Sequence, residues 1–137
     1  MRNKIIASAV LLLSGFAVGR AYQPAPAHIY ELRTYTTNEG KLDALNARFR
    51  DHTRRIFERH NIKSVGYWVP SEGPTASTTL IYILEHPSRE EARKNWAAFS
   101  ADPEWQKVRA DSEVNGRILA KPPESVFMNA TDYSAIK

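Results

Sequence analysis

Two hydrophobic periods follow one another along this chain in a fixed order, and that order constrains the fold more than any single residue does. His28 to Thr36 (HIYELRTYT) is rich in aromatic and β-branched residues and alternates with period two. Tyr30, Leu32 and Thr34 share one face of this strand; Ile29, Glu31, Arg33 and Tyr35 share the other. After the turn Asn38-Glu39-Gly40 the period becomes helical, with Leu42, Leu45, Phe49, Thr53, Ile56 and His60 along one stripe and the end near His60 and Asn61. Lys63 to Val69 reads as a second strand stopped by Pro70, and Ser71 to Ser77 as a loop of turn formers. Leu80 to Glu85 is an apolar run short enough for a central strand, stopped by Pro87.

Ser88-Arg89-Glu90-Glu91 has the capping-box pattern, in which the serine hydroxyl accepts from the third helical amide and the glutamate reaches back to the serine amide. It predicts a helix burying Ala92, Trp96 and Phe99. Asp102-Pro103 restarts the chain as another helix, because aspartate is a favoured N-cap and proline costs nothing where the first amide has no helical partner. Trp105 and Val108 face inward there, with Gly116 as the stop. Beyond Pro122 and Pro123, Glu124 to Met128 reads as a last strand and Asn129 to Lys137 as a tail. The order is βαββαβ with its second helix split. The fold class is therefore α+β and ferredoxin-like: a four-stranded antiparallel sheet with helices on one face. The bare face carries Tyr30 and Leu32, or Tyr82 and Leu84, depending on register. That much apolar area rarely faces water, so a sheet-to-sheet homodimer is expected.

The N-terminus has a different logic. Met1, Arg2 and Lys4 precede the fourteen-residue apolar run Ile5 to Val18, and Gly19, Arg20 and Ala21 follow it. This is the order of a secretory signal: positive start, short apolar stretch, small-residue cleavage site. A bilayer span needs roughly 20 residues, so residues 1–21 read as a cleaved signal peptide and the product as secreted or periplasmic. Only an uncleaved leader would tie the chain to a membrane, and with no cysteine there is no lipoprotein anchor. Residues 22–27 read as an extended linker, since prolines block helix there, and the domain as residues 28–137. Losing Arg2, Lys4 and Arg20 takes nineteen basic residues to sixteen against fifteen acidic, and the net charge from +4 to +1. The remaining charges mix signs along helix faces, so nucleic acid is not an expected partner. Without cysteines, the domain has to stand on one hydrophobic core.

Several stretches resemble the NIPSNAP family: YELRTYT at Tyr30 to Thr36, RFRDHT at Arg48 to Thr53, FERHNI at Phe57 to Ile62, and Gly66-Tyr67-Trp68. The resemblance continues through WAAFSADPEWQKVRADSE at Trp96 to Glu113 and SVFMNATDYS at Ser125 to Ser134. It implies the dimeric α+β barrel fold and no particular reaction.

For chemistry, the chain offers no phosphate-cradling glycine loop, no HExxH or cysteine cluster and no nucleophile elbow. The scattered histidines His28, His52, His60 and His86 require no metal, and no cofactor is expected. His52 lies three after Phe49 and four before Ile56, on or beside the helical stripe. If Glu31, Arg33 and Tyr35 point toward the helices, a carboxylate, a guanidinium, a phenol and an imidazole would line one cleft. His52 would then be a candidate base and Arg33 an anion holder, with Glu31, Tyr35, Trp96 and Trp105 as candidate ligand contacts. The bland alternative makes Glu31 and Arg33 a same-face ion pair near solvent, His52 a core-edge histidine, and the tryptophans core. Three functions fit: an exported homodimer binding a small organic ligand between sheet and helices, a cofactor-independent oxygenase or isomerase, or an interaction module with no ligand site.

Overall fold

A computed structural model describes residues 28–136; the expected signal peptide, and the linker at 22–27, lie outside the described residues. The elements are β1 (Ile29–Thr36), α1 (Leu42–Arg48), a π-helical turn (Phe49–Thr53), α2 (Arg54–Arg59), β2 (Lys63–Trp68) and β3 (Thr79–His86). They continue with α3 (Arg89–Ala101), α4 (Pro103–Ser112) and β4 (Glu124–Asn129). The strands form one antiparallel sheet in the order β2-β3-β1-β4, the ferredoxin-like arrangement expected from the order of periods. Among the described residues no helix is long and apolar enough to cross a membrane.

Register decides which strand faces are covered. Arg33 pairs with Tyr82 and Glu31 with Leu84, so the Glu31, Arg33, Tyr35 set of β1 shares a face with Leu80, Tyr82, Leu84 and His86 of β3. Leu80, Tyr82 and Leu84 are buried beneath the helices together with Leu45, Phe49, Ile56, Phe57, Phe99 and Ile118. Tyr82 sits at the centre, with the rings of Tyr35, Phe49 and Tyr67 within 5.4 Å of its own, centroid to centroid. The other face stays free of helices. It presents Leu32, Ile81 and Ile83, with Trp68 half exposed and Val126 more so. At one end of it a hollow of about 290 Å³ lies between Tyr30, Ile83 and Met128 of the strands and Ala130, Ser134 and Ile136 of the tail.

The first helix departs from the expected continuous stripe. The Arg54 amide donates to the Phe49 carbonyl, five residues back, and the Thr53 hydroxyl donates to the Arg48 carbonyl at 3.1 Å. At the α-helical pitch of about 100° per residue, Phe57 would lie roughly 80° from Phe49. The wider π turn lowers the rotation per residue and brings Phe57 inward, 1 % exposed, with its ring against Phe49, Trp96 and Phe99. The same change carries His52 off the stripe: it is exposed, and Thr53 takes the inward place. The helix closes as a Schellman motif, with Asn61 at φ 55° and the Ile62 amide donating to the Phe57 carbonyl at 2.9 Å.

Two caps formed as read, with corrections. The Ser88 hydroxyl accepts from the Glu91 amide at 3.1 Å, but the Glu91 carboxylate turns to Lys94, so only half of the capping box forms. Asp102 caps α4 through the amides of Glu104 and Trp105. That helix ends at Ser112, before Gly116, whose φ of 101° belongs to the following turn.

Candidate functional site

The alternation of β1 places Glu31 in the layer between sheet and helices, 1 % exposed, and the surrounding elements meet it with donors. His86 Nε2, at the end of β3, lies 2.9 Å from Oε2, and Trp96 Nε1 of α3 donates to the same oxygen at 2.8 Å. Arg33, two residues along the strand, donates to Oε1 at 3.0 Å, and the Ser125 hydroxyl of β4 donates there at 2.6 Å. Four elements thus converge on one carboxylate. Burial pushes its pKa up, but the hydrogen bonds from His86, Ser125 and Trp96 and the Arg33 charge outweigh that and hold it at about 2. Glu31 is an anion whose two oxygens are both doubly engaged. It is built to orient its neighbours and is a poor proton acceptor.

Arg33 continues the network inward. Its guanidinium lies over the Trp96 ring at 4.6 Å and donates to the Tyr35 hydroxyl at 3.4 Å. Next to it Tyr82 is fully buried, and burial raises its phenol pKa well above the ordinary value. Among the described residues, Arg33 Nε, the Tyr82 hydroxyl and His86 Nδ1 are buried without a hydrogen-bond partner.

His86 also lines a cleft of about 810 Å³ between α2 and the β2 edge of the sheet. Ile62, Val65 and Tyr67 give it an apolar wall; Arg54, Glu58, Lys63 and Ser64 give it a polar rim. The Tyr67 and Ser64 hydroxyls are 2.6 Å apart, while Lys63 is committed to Glu85 at 2.8 Å. No ion pair engages Arg54 among the described residues.

Of the residues singled out from sequence, Glu31, Arg33, Tyr35 and Trp96 come together. His52 does not join them: it lies on the far side of the π turn, in a groove of about 370 Å³ with Arg48, Asp51 and Ser112. Trp105 is separate as well, stacked on Phe99 at 4.6 Å with Arg48 over its ring. Nor is the Glu31–Arg33 pair near solvent, as the bland alternative had it; Arg33 is 15 % exposed and Glu31 2 % by side chain. His86 and Ser125 were missed. The signal for His86 was its parity with Tyr82 and Leu84, one residue past the end assigned to the strand. No group of three or more metal-capable side chains gathers among the described residues.

The family model described as NIPSNAP matches residues 30–135. The structure is similar to that of a NIPSNAP family protein of unknown function from Agrobacterium tumefaciens: TM-score 0.69, 23 % identity, covering 82 % of this chain and 96 % of that one. It is similar to an uncharacterised NIPSNAP-like domain protein from Burkholderia xenovorans, with TM-score 0.69, 17 % identity, and 80 % and 90 % covered. A more distant likeness is to SnoaB, a cofactor-independent oxygenase from Streptomyces nogalater, at TM-score 0.53 and 13 % identity, over 81 % of this chain and 99 % of that one. No curated protein matches the chain. At these identities the structural likenesses speak for the dimeric α+β barrel type of fold alone, but the family model spans almost the whole described domain, and the chain belongs to the NIPSNAP family.

Proposed function

We propose that this chain is an exported, homodimeric binding domain that holds a small organic molecule in the cleft between α2 and β2. The observation that carries the reading is the cleft itself. Its volume of about 810 Å³ falls within the range of ligand pockets, about 300–1,000 Å³, and it combines an apolar wall with a few polar groups. Arg54, which no ion pair among the described residues engages, is suited to an anionic substituent. The test is native mass spectrometry of the gently purified protein, with a bound small molecule as the expected result. Arg54→Glu reverses a rim charge that no ion pair among the described residues uses, and should lower occupancy without lowering the melting temperature. A ligand-free protein that binds nothing from a metabolite extract would sink the reading.

The dimer is supported by the helix-free sheet face, with Trp68 and Val126 half exposed or more on it. Export is supported by the leader pattern, and the intact mass of the extracytoplasmic product should correspond to a chain beginning at Tyr22. The oxygenase or isomerase alternative draws on likeness of fold alone, and the base and anion holder expected for it, His52 and Arg33, lie in different parts of the molecule.

A further inference from the structure

We infer that the hydroxyls of Ser64 and Tyr67, together with Arg54, take the carboxylate of a flat organic acid; the inference rests on the α2–β2 cleft being the ligand site. In a regular strand, residues three apart face opposite sides of the sheet. Yet Ser64 pairs with Leu84 and Tyr67 with Tyr82, and those two partners on β3 both lie buried beneath the helices. A bulge between Ser64 and Gly66 makes up the difference, with Val65 as the extra residue. It brings both hydroxyls to the helix side, 2.6 Å apart, where α2 carries Arg54 and Glu58 on the other wall of the cleft. Ser64 and Tyr67 line that cleft, and neither is fully buried. The Tyr67 ring rests against Phe49 at 5.6 Å and Tyr82 at 5.4 Å, centroid to centroid, which holds the phenol in place.

Counting hydrogens gives the chemistry of the ligand. Two hydroxyls carry two hydrogens, and the contact between them uses one. Whichever oxygen accepts that internal bond keeps its own hydrogen to donate outward, and accepting the bond strengthens it as a donor. Burial raises the Tyr67 phenol pKa above its ordinary value despite the nearby Arg54 charge, so both hydrogens stay in place at neutral pH. Lys63 and His28 are engaged by Glu85, whereas no ion pair among the described residues engages Arg54. The donors left to a ligand are thus one O–H and one guanidinium, and the group that satisfies both is a carboxylate. Glu58, four residues after Arg54 on α2, opposes a second negative charge. Ile62 and Val65 suit a flat apolar body, so the class is an aromatic or unsaturated monocarboxylate.

The experiment is amide NMR of the full, uniformly nitrogen-labelled protein at neutral pH, titrated separately with benzoate, benzamide and benzylamine. Benzoate should give saturable shifts along Lys63 to Tyr67. It should bind about tenfold more tightly than benzamide, which keeps an acceptor oxygen but lacks the charge, and benzylamine should bind more weakly still. Ser64→Ala and Tyr67→Phe each leave one O–H able to turn to the ligand, and each should cost benzoate less than about threefold. The double variant leaves neither hydroxyl, and should cost about tenfold, the worth of a hydrogen bond to a charged group. A double variant that binds benzoate as wild type does overturns the role of the hydroxyl pair. Tyr67→Phe alone costing as much as the double variant overturns the shared hydrogen, and the cleft reading stands in both cases. Benzylamine that binds wild type as tightly as benzoate overturns the carboxylate class, a result that holds even if the double variant fails to fold. Benzoate that binds nowhere along the cleft overturns the whole assignment and leaves the cleft to its own mass-spectrometric test.

Discussion

Glu31 is a charge withdrawn from water and then surrounded, and its worth to the fold depends on keeping that surround complete. Removing one partner of a buried charged pair costs about 3–5 kcal/mol, far more than a surface pair contributes. Glu31→Gln should destabilise by that order, because its amide group would turn a donor toward donors on whichever oxygen it replaced; urea unfolding at neutral pH reads the loss. Trp96→Phe keeps the ring under Arg33 but deletes the 2.8 Å bond to Oε2, and should cost about 1.5–3 kcal/mol, the value of a hydrogen bond to a charged group. The pH dependence has a definite sign. The folded pKa of about 2 lies below the ordinary 4.5, so this stabilisation is complete above about pH 4.5 and drains away as pH falls toward 2. It amounts to about 3 kcal/mol. Wild type should therefore lose more stability than Glu31→Gln between pH 6 and pH 2.5, a range set by those two pKa values. Parallel curves would show that Glu31 is not the group responsible. Much of this site was legible: alternation alone put Glu31, Arg33 and Tyr35 on one face. His86 and Ser125 were not, since the first sat just beyond an assigned strand end and the second on an edge strand whose partner in the sheet only the register reveals.

At the scale of elements, the π turn explains why a sound periodicity argument misplaced His52. The stripe Leu45, Phe49, Ile56 is real, and all three are buried, but the sequence between them carries one residue more than a regular helix needs to bring Phe57 inward. Nothing in composition marks that extra residue; it is recovered only from the packing of Phe57 against Phe99 at 4.8 Å. Deleting exposed Arg50 should convert the turn to regular helix with both flanks still in phase, at a cost of less than about 2 kcal/mol, in the range of ordinary point changes. Inserting one alanine at the same place should rotate Phe57 out of the core and cost about 3–5 kcal/mol, as truncating a buried phenylalanine does. Equal losses for the two variants, measured by cooperative thermal unfolding, would mean that the turn is not an accommodated insertion. The helix end, by contrast, was readable, because Asn61 is among the few residue types that tolerate the left-handed conformation a Schellman motif needs.

For the whole molecule, topology followed from the order of periods, but the covered face of the sheet did not follow from β1, whose two sets are both partly apolar. It is β3 that decides. Its Leu80, Tyr82 and Leu84 are the more apolar set beside Glu85 and Thr79, and antiparallel pairing carries that choice to β1. The face left over is where a second copy is expected. Trp68 is laid along it so closely that a Cβ on Gly66 would come within 2.6 Å of the indole, so the ring is a flat contact surface in place of a protruding one. In a two-fold packing each side chain enters twice, and facing sheets lie about 10 Å apart, too close to hydrate an inserted charge. Trp68→Asp with Val126→Lys changes two positions that are 50 % and 56 % exposed in the single subunit, so the fold should survive, with unchanged circular dichroism. Wild type should sediment at twice the subunit mass at micromolar concentration and the double variant at the subunit mass. A wild-type protein that sediments as one subunit would remove the sheet face as the dimer interface and return it to the list of surfaces open to other partners.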